Sequence, residues 1–117
     1  MEIRNALASL AVADLAAART WYEQLLGPGS SPMPEVVEWQ FPRGGGLQVY
    51  AGPERSGNGS CTIVVDDIDA ITEHVRSNGL ADDPQPQRSE AVDTLMIKDP
   101  AGNSIAFAVA HDASLAS

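Results

Sequence analysis

The chain has 117 residues, 44% of them apolar, with a formal net charge of −9 and an isoelectric point near 4.3. That length and apolar share suit a single soluble globular domain able to bury a core. Sixteen acidic residues against seven basic ones, with no Lys/Arg cluster, exclude a nucleic-acid backbone as partner, since nothing would replace the counterions around phosphate, and leave a neutral or cationic partner easier to accommodate.

Residues 5 to 12 read as a strand, and Asp14 then offers its carboxylate to the free N–H groups of a helix start. Leu15, Ala18, Tyr22 and Leu25 follow at helical spacing, an apolar stripe that needs a sheet to pack on. Gly27-Pro28-Gly29 stops the helix. A short extended piece near Ser30 to Pro34 comes next, then strands around Glu35 to Phe41 and Leu47 to Tyr50, hinged by Gly44-Gly45-Gly46. A Gly-, Pro- and Ser-rich linker at about 52–58 precedes a strand from about Ser60 to Val65. Asp67 caps a second helix with Ile68, Ile71 and Val75 on one face, and Asn78-Gly79 ends it. The stretch Asp82 to Gln87 leads to strands near Val92 to Lys98 and Ser104 to Val109, joined by Asp99-Pro100-Ala101-Gly102-Asn103. The tail after His111 reads as frayed.

Two halves of this order repeat. Leu7-Ala8-Ser9-Leu10-Ala11-Val12-Ala13-Asp14-Leu15 reappears as Ser60-Cys61-Thr62-Ile63-Val64-Val65-Asp66-Asp67-Ile68, and the same offset pairs Ala18 with Ile71 and Tyr22 with Val75. Pro42 to Val49 matches Pro100 to Phe107 at a slightly larger offset, so the second copy holds a longer loop. Each half is expected to be βαβββ, giving an α+β domain over 1–117 with modules at about 5–51 and 59–110.

The lone Cys61 cannot form an intramolecular disulfide and lies in an apolar run, where a buried, inert thiol is expected. No apolar run approaches the roughly 20 residues of a membrane span, and no secretion signal opens the chain, so no membrane partner and a cytoplasmic location are expected.

Val12-Ala13-Asp14-Leu15 before Trp21-Tyr22-Glu23-Gln24-Leu25-Leu26-Gly27, with the Asp99-Pro100-Ala101-Gly102-Asn103 turn near the end, resembles the vicinal oxygen chelate superfamily, the glyoxalase, bleomycin-resistance and extradiol-dioxygenase group. The resemblance covers roughly residues 5 to 110 and implies a curved, partly open mixed β-sheet. It also implies that Trp21 and Tyr22 close the first helix onto that sheet. Enzymes of the superfamily hold a divalent metal with side chains from the first and last strands of each module. Those positions fall here on Leu7, Gln48, Ser60 and Ala106, of which only Gln48 could coordinate. No metal, no other cofactor and no metal-dependent glyoxalase or dioxygenase activity are expected. His74 and His111 lie elsewhere and read as ordinary surface or partly packed residues, and no nucleophile signature is present.

Alternation along the strands carries those positions to a set of cavity-facing residues: Leu7, Ser9 and Ala11; Gln48 and Tyr50; Ser60, Thr62 and Val64; Thr94, Met96 and Lys98; Ala106 and Ala108. Leu10, Val12, Ile63, Val65, Leu95, Ile97, Ile105, Phe107 and Val109 face the helices. Trp39 and Phe41 face either the cavity or the first helix, because one residue of slip at the Gly44-Gly45-Gly46 hairpin reverses every face. The expected ligand-binding set is Leu7, Ser9, Trp39, Gln48, Tyr50, Ser60, Thr62, Thr94, Met96 and Ala106, with no catalytic residue.

Such a surface suits a flat, largely apolar organic molecule. The function expected is non-catalytic sequestration of an aromatic antibiotic or natural product by a homodimer, as in the bleomycin-resistance branch. The alternative is a metal-independent isomerase or cyclase using Lys98, Tyr50 or Glu38 as acid or base.

Overall fold

The computed structural model describes residues 1–111, and the expectation for the tail after His111 lies outside the described residues. The first module runs β1 (Leu7–Val12), α1 (Leu15–Leu26), β2 (Ser30–Met33), β3 (Val36–Gln40) and β4 (Gly46–Ala51). The second runs β5 (Ser60–Val64), α2 (Ile68–Ser77), β6 (Val92–Lys98) and β7 (Ser104–Ala110).

Both helices start as their caps dictate. The Asp14 carboxylate accepts from the N–H of Ala17 at 3.1 Å, and that of Asp67 from Asp69 and Ala70, each at 3.0 Å. Gly27, at φ 90°, ends α1, with its N–H bonded to the Glu23 carbonyl. Ala18, Tyr22 and Leu25 are the buried stripe of α1, and Ile68, Thr72 and Val75 that of α2.

The strands form two mixed sheets, of order β1-β4-β3-β2 and β5-β7-β6, each with one parallel pair, β1·β4 and β5·β7. Helix α1 covers one face of the first sheet and α2 one face of the second, which leaves the opposite faces open. The core between helices and sheets holds Leu10, Val12, Trp39, Leu47, Val49, Leu95, Ile105 and Phe107, all 5% exposed or less. In the second module the strand expected between α2 and β6 is reduced to one bridge, Gln87 to Thr94, because Pro84 and Pro86 interrupt the segment that would have formed it.

The sheets meet at β1 and β5. The Asp99–Asn103 turn joins them from below, through a buried polar network in which Asn103 is fully buried and Asp99 is 5% exposed. Asn103 Nδ2 donates to the Ala11 carbonyl and to Asp99 Oδ2, and its Oδ1 accepts from the Gly59 N–H. The Tyr22 hydroxyl donates to Asp99 at 2.7 Å. Burial and that bond push the Tyr22 phenol far above its usual range, so it stays neutral. Gly57, at φ 85°, packs so closely on the same turn that a Cβ would stand 2.3 Å from the Ala101 carbonyl oxygen. The Asp-Pro-x-Gly-Asn turn is therefore a structural latch between modules.

Candidate functional site

The open face of the first sheet is built by register. Ser9, Gln48, Glu38 and Ser30 stand opposite one another on β1, β4, β3 and β2, a polar row crossing all four strands. One row further, two residues along on β1, β3 and β4 and three on β2, where a bulge lies between Ser30 and Met33, Ala11, Tyr50, Val36 and Met33 make a second row, apolar apart from the Tyr50 hydroxyl, with Ala11 and Val36 buried in it. Leu7, Gly46 and Gln40 form a third row on the other side. Rows on one face are about 7 Å apart, twice the rise per strand residue. The Ser9 hydroxyl donates to Gln48 Oε1 at 2.9 Å.

Tyr50 is half-buried, and its ring lies over the backbone at Gly52, where a Cβ would come within 2.8 Å of the ring edge. With Gly52, Pro53, Glu54 and Arg55 it lines a depression of about 250 Å³.

The open face of the second sheet is plainer. Its rows are Ser60, Ser104 and Lys98; then Thr62, Ala106 and Met96; then Val64, Ala108 and Thr94, with Gln87 bridged to Thr94. Met96 is 63% exposed and Val64 54%. Thr94 and Met96 form one wall of a cavity of about 290 Å³ whose other wall is the Ala81–Gln87 segment. The lone thiol, on Cys61, is half-buried on the helix side of β5, and burial pushes its pKa up, which removes it from the open face.

Nine of the ten expected ligand-facing residues occupy these two open faces. Trp39 does not. It stands opposite Leu47 on the helix side, 5% exposed, with its indole N–H donated to the Gly27 carbonyl at 2.9 Å and its ring against Tyr22. The hairpin sets this outcome: Gln40 pairs with Gly46, so Trp39 shares the face of Leu47, and Phe41, half-buried, packs against the same core. The strand register adds Glu38 and Met33 to the open face, with Val36 buried between them on the same side. The Ala81–Gln87 wall had no strand signal, and only its Pro and Gln content marked it as a connecting segment.

Neither histidine reaches an open face. The His74 Nε2–H donates to the Gln24 carbonyl of α1 at 2.8 Å, and the Trp21 indole N–H to the Leu80 carbonyl after α2, so the two helices are tied end to end. His111 pairs with Asp93 at 3.0 Å, and this bond above all holds the Asp93 carboxyl below its ordinary range. Arg88 bonds both Asp93 and Asp69.

The residues at the family's metal positions do not fit a divalent ion. Leu7 and Ala106 have no donor atom, Ser60 offers a neutral hydroxyl, and the Gln48 oxygen already accepts from Ser9. Among the described residues no three His, Cys, Asp or Glu side chains come together. The candidate acid–base groups are also divided, with Glu38 and Tyr50 in adjacent rows of the first sheet and Lys98 at the edge of the second.

No family model and no curated protein sequence matches the chain. Among solved structures, a glyoxalase/bleomycin resistance protein from Catenulispora acidiphila DSM 44928 is 31% identical to it, with a TM-score of 0.80 over 92% of this chain and 98% of that one. TnmS3, an antibiotic binding protein from Streptomyces sp. CB03234, is 21% identical, with a TM-score of 0.80 over 94% of this chain and 98% of its own. A lactoylglutathione lyase from Agrobacterium tumefaciens is 19% identical, with a TM-score of 0.73 over 92% and 94%. The latter two likenesses concern the fold alone, which thus carries both a binder and an enzyme.

Proposed function

The chain belongs to the glyoxalase and bleomycin resistance protein family of the vicinal oxygen chelate superfamily, and on that premise we propose that it binds and sequesters a hydrophobic, aromatic small molecule, an antibiotic or other natural product, without transforming it. One observation carries the reading: the positions where family enzymes hold their metal are Leu7, Gln48, Ser60 and Ala106, on open faces that also expose Met96 and Val64. Sequestration requires only affinity, so replacing the ligand set costs it nothing. The antibiotic-binding protein of the same fold supports the same reading.

A second copy of the chain completes the site in this proposal. The cavities of about 290 and 250 Å³ on one protomer are smaller than the roughly 300–1,000 Å³ that encloses a drug-sized ligand. Every residue of the edge strand β2 is exposed, and both sheets lack cover on one face. Homodimerisation covers these surfaces and encloses the ligand in the groove between protomers. No helix of the described residues is long and apolar enough to cross a membrane. A resistance role in the cytoplasm, with no nucleic-acid or membrane partner, is part of the proposal.

The test is incubation with a panel of planar aromatic antibiotics, followed by thermal unfolding and by chromatography, mass and NMR analysis of the recovered compound. The expected result is saturable stabilisation with the ligand recovered chemically unchanged. A product, including an isomer of equal mass, formed by protein treated with chelator would instead establish the metal-independent enzyme. Light scattering is expected to report a dimer at micromolar concentration, and a monomer with and without ligand would contradict the enclosed groove.

A further inference from the structure

We infer that the ligand of the first sheet carries a hydrogen-bond acceptor and a hydrogen-bond donor side by side on one edge of its ring system, read by Gln48 and Glu38. The inference rests on the reading of this face as a binding surface for a planar aromatic molecule, and it names the polar chemistry that molecule must bear.

The order of the rows carries it. A flat ring system seated on Tyr50 and Met33, which share one row with the buried Ala11 and Val36, has its edge at the next row, which crosses the same four strands as Ser9, Gln48, Glu38 and Ser30. A glutamine amide has one acceptor oxygen and two N–H donors. The Ser9 hydroxyl occupies the Gln48 oxygen, which turns the amide so that its NH2 group is the part left to offer. Among the described residues that NH2 group has no partner, and neither does the Glu38 carboxylate, which when ionised only accepts. Gln48 and Glu38 stand directly opposite on paired strands, where Cβ atoms lie about 5 Å apart, so both side chains can reach neighbouring atoms of one ligand edge.

A carbonyl beside an N–H or O–H is the complementary edge. A purely hydrocarbon ring system would leave the Gln48 donors and the Glu38 charge desolvated and unpaired, and would be rejected for that reason. Ser9 acts through Gln48 and is a positioning residue. The polar row of the second sheet, Ser60, Ser104 and Lys98, holds no carboxylate and no amide and borders Thr62, Ala106 and Met96, a row without an aromatic, so it is not equivalent.

Three fluorescent probes test this: anthracene-2-carboxamide, which bears both groups, 2-acetylanthracene, which keeps only the acceptor, and unsubstituted anthracene. The carboxamide is expected to bind the full chain about tenfold more tightly than anthracene, with the acetyl compound between them. Gln48→Met should bring the acetyl compound within about twofold of the unsubstituted ring, Glu38→Met should equalise the carboxamide and the acetyl compound, and Ser9→Ala should weaken both substituted probes but not the unsubstituted one, with Ser9→Thr restoring them. The comparison among probes on the unaltered protein stands even if a variant misfolds. Equal binding of all three probes, with Tyr50→Ala weakening each, would overturn the inference and leave the aromatic-binding reading intact. Absence of any binding below about 100 μM would overturn both.

Discussion

The two modules follow nearly the same chain path and differ on the face that folding does not use. On the helix side they are interchangeable in kind: Leu10, Val12, Leu47 and Val49 in the first sheet, Leu95, Ile97, Ile105 and Phe107 in the second, all buried. On the open side the first sheet presents a row holding Tyr50 beside the row of Ser9, Gln48 and Glu38, while the second presents Ser60, Ser104 and Lys98 beside Thr62, Ala106 and Met96, without an aromatic. The helix side is constrained by packing, where a lost methylene is felt. The open side is constrained only by what it touches, so a duplicated unit diverges there first. In the proposed reading the first module supplies the recognition surface, and the second a low wall and a rim cavity at Ala81–Gln87.

Substitutions on the two faces should separate stability from binding. The largest expected effect is Trp39→Ala, which empties a buried site and removes an indole hydrogen bond, lowering stability by about 3–5 kcal/mol in chemical denaturation. The remaining folded fraction should still bind ligand, since Trp39 does not reach the open face. Next, Asn103→Ala should cost about 2–3 kcal/mol by leaving the Gly59 N–H, the Ala11 carbonyl and Asp99 with fewer partners. Because that latch joins the modules, its loss is expected to separate their unfolding into two transitions by calorimetry. A single sharp transition in this variant would show that the sheets are coupled by other means.

A smaller effect sharpens the comparison from the second module alone. The folded-state pKa of Asp93 is depressed by the hydrogen bond from His111, so the stability it contributes is present above the ordinary aspartate value of about 3.9 and is lost as pH falls through the depressed value. Thermal unfolding of Asp93→Asn should therefore fall less steeply than that of the parent below about pH 4. Matching acid profiles would remove Asp93 from the account of the acid limb.

Much of the fold was legible because the repeat is written in residues with local roles. Asp14 and Asp67 are caps with bonds to their own helix N-termini, Gly27 and Gly79 stop helices with positive φ, and the apolar stripes need only helical spacing. The open faces of β1, β4, β5, β6 and β7 followed from alternation. Trp39 was not legible, since its face depends on the pairing of Gln40 with Gly46 across a glycine hairpin, and a single-residue slip would have placed it on the open face. The polar row was hidden for a related reason: Ser9, Gln48, Glu38 and Ser30 are far apart in sequence and align only through three strand pairings. The Asp99 to Asn103 turn was visible as a motif, but its work as a latch to Tyr22, Ala11 and Gly59 required the contacts between modules.

The central claim is that the first sheet's open face binds an aromatic molecule through Tyr50. Calorimetric titration of the parent protein and Tyr50→Ala against the same planar aromatic antibiotics tests it most directly. The expected result is binding tighter than about 100 μM for at least one compound, weakened about thirtyfold by Tyr50→Ala at unchanged unfolding temperature, as for an anchoring aromatic in a desolvated site. Equal affinity of Tyr50→Ala and the parent would contradict the claim and move the ligand to the second sheet.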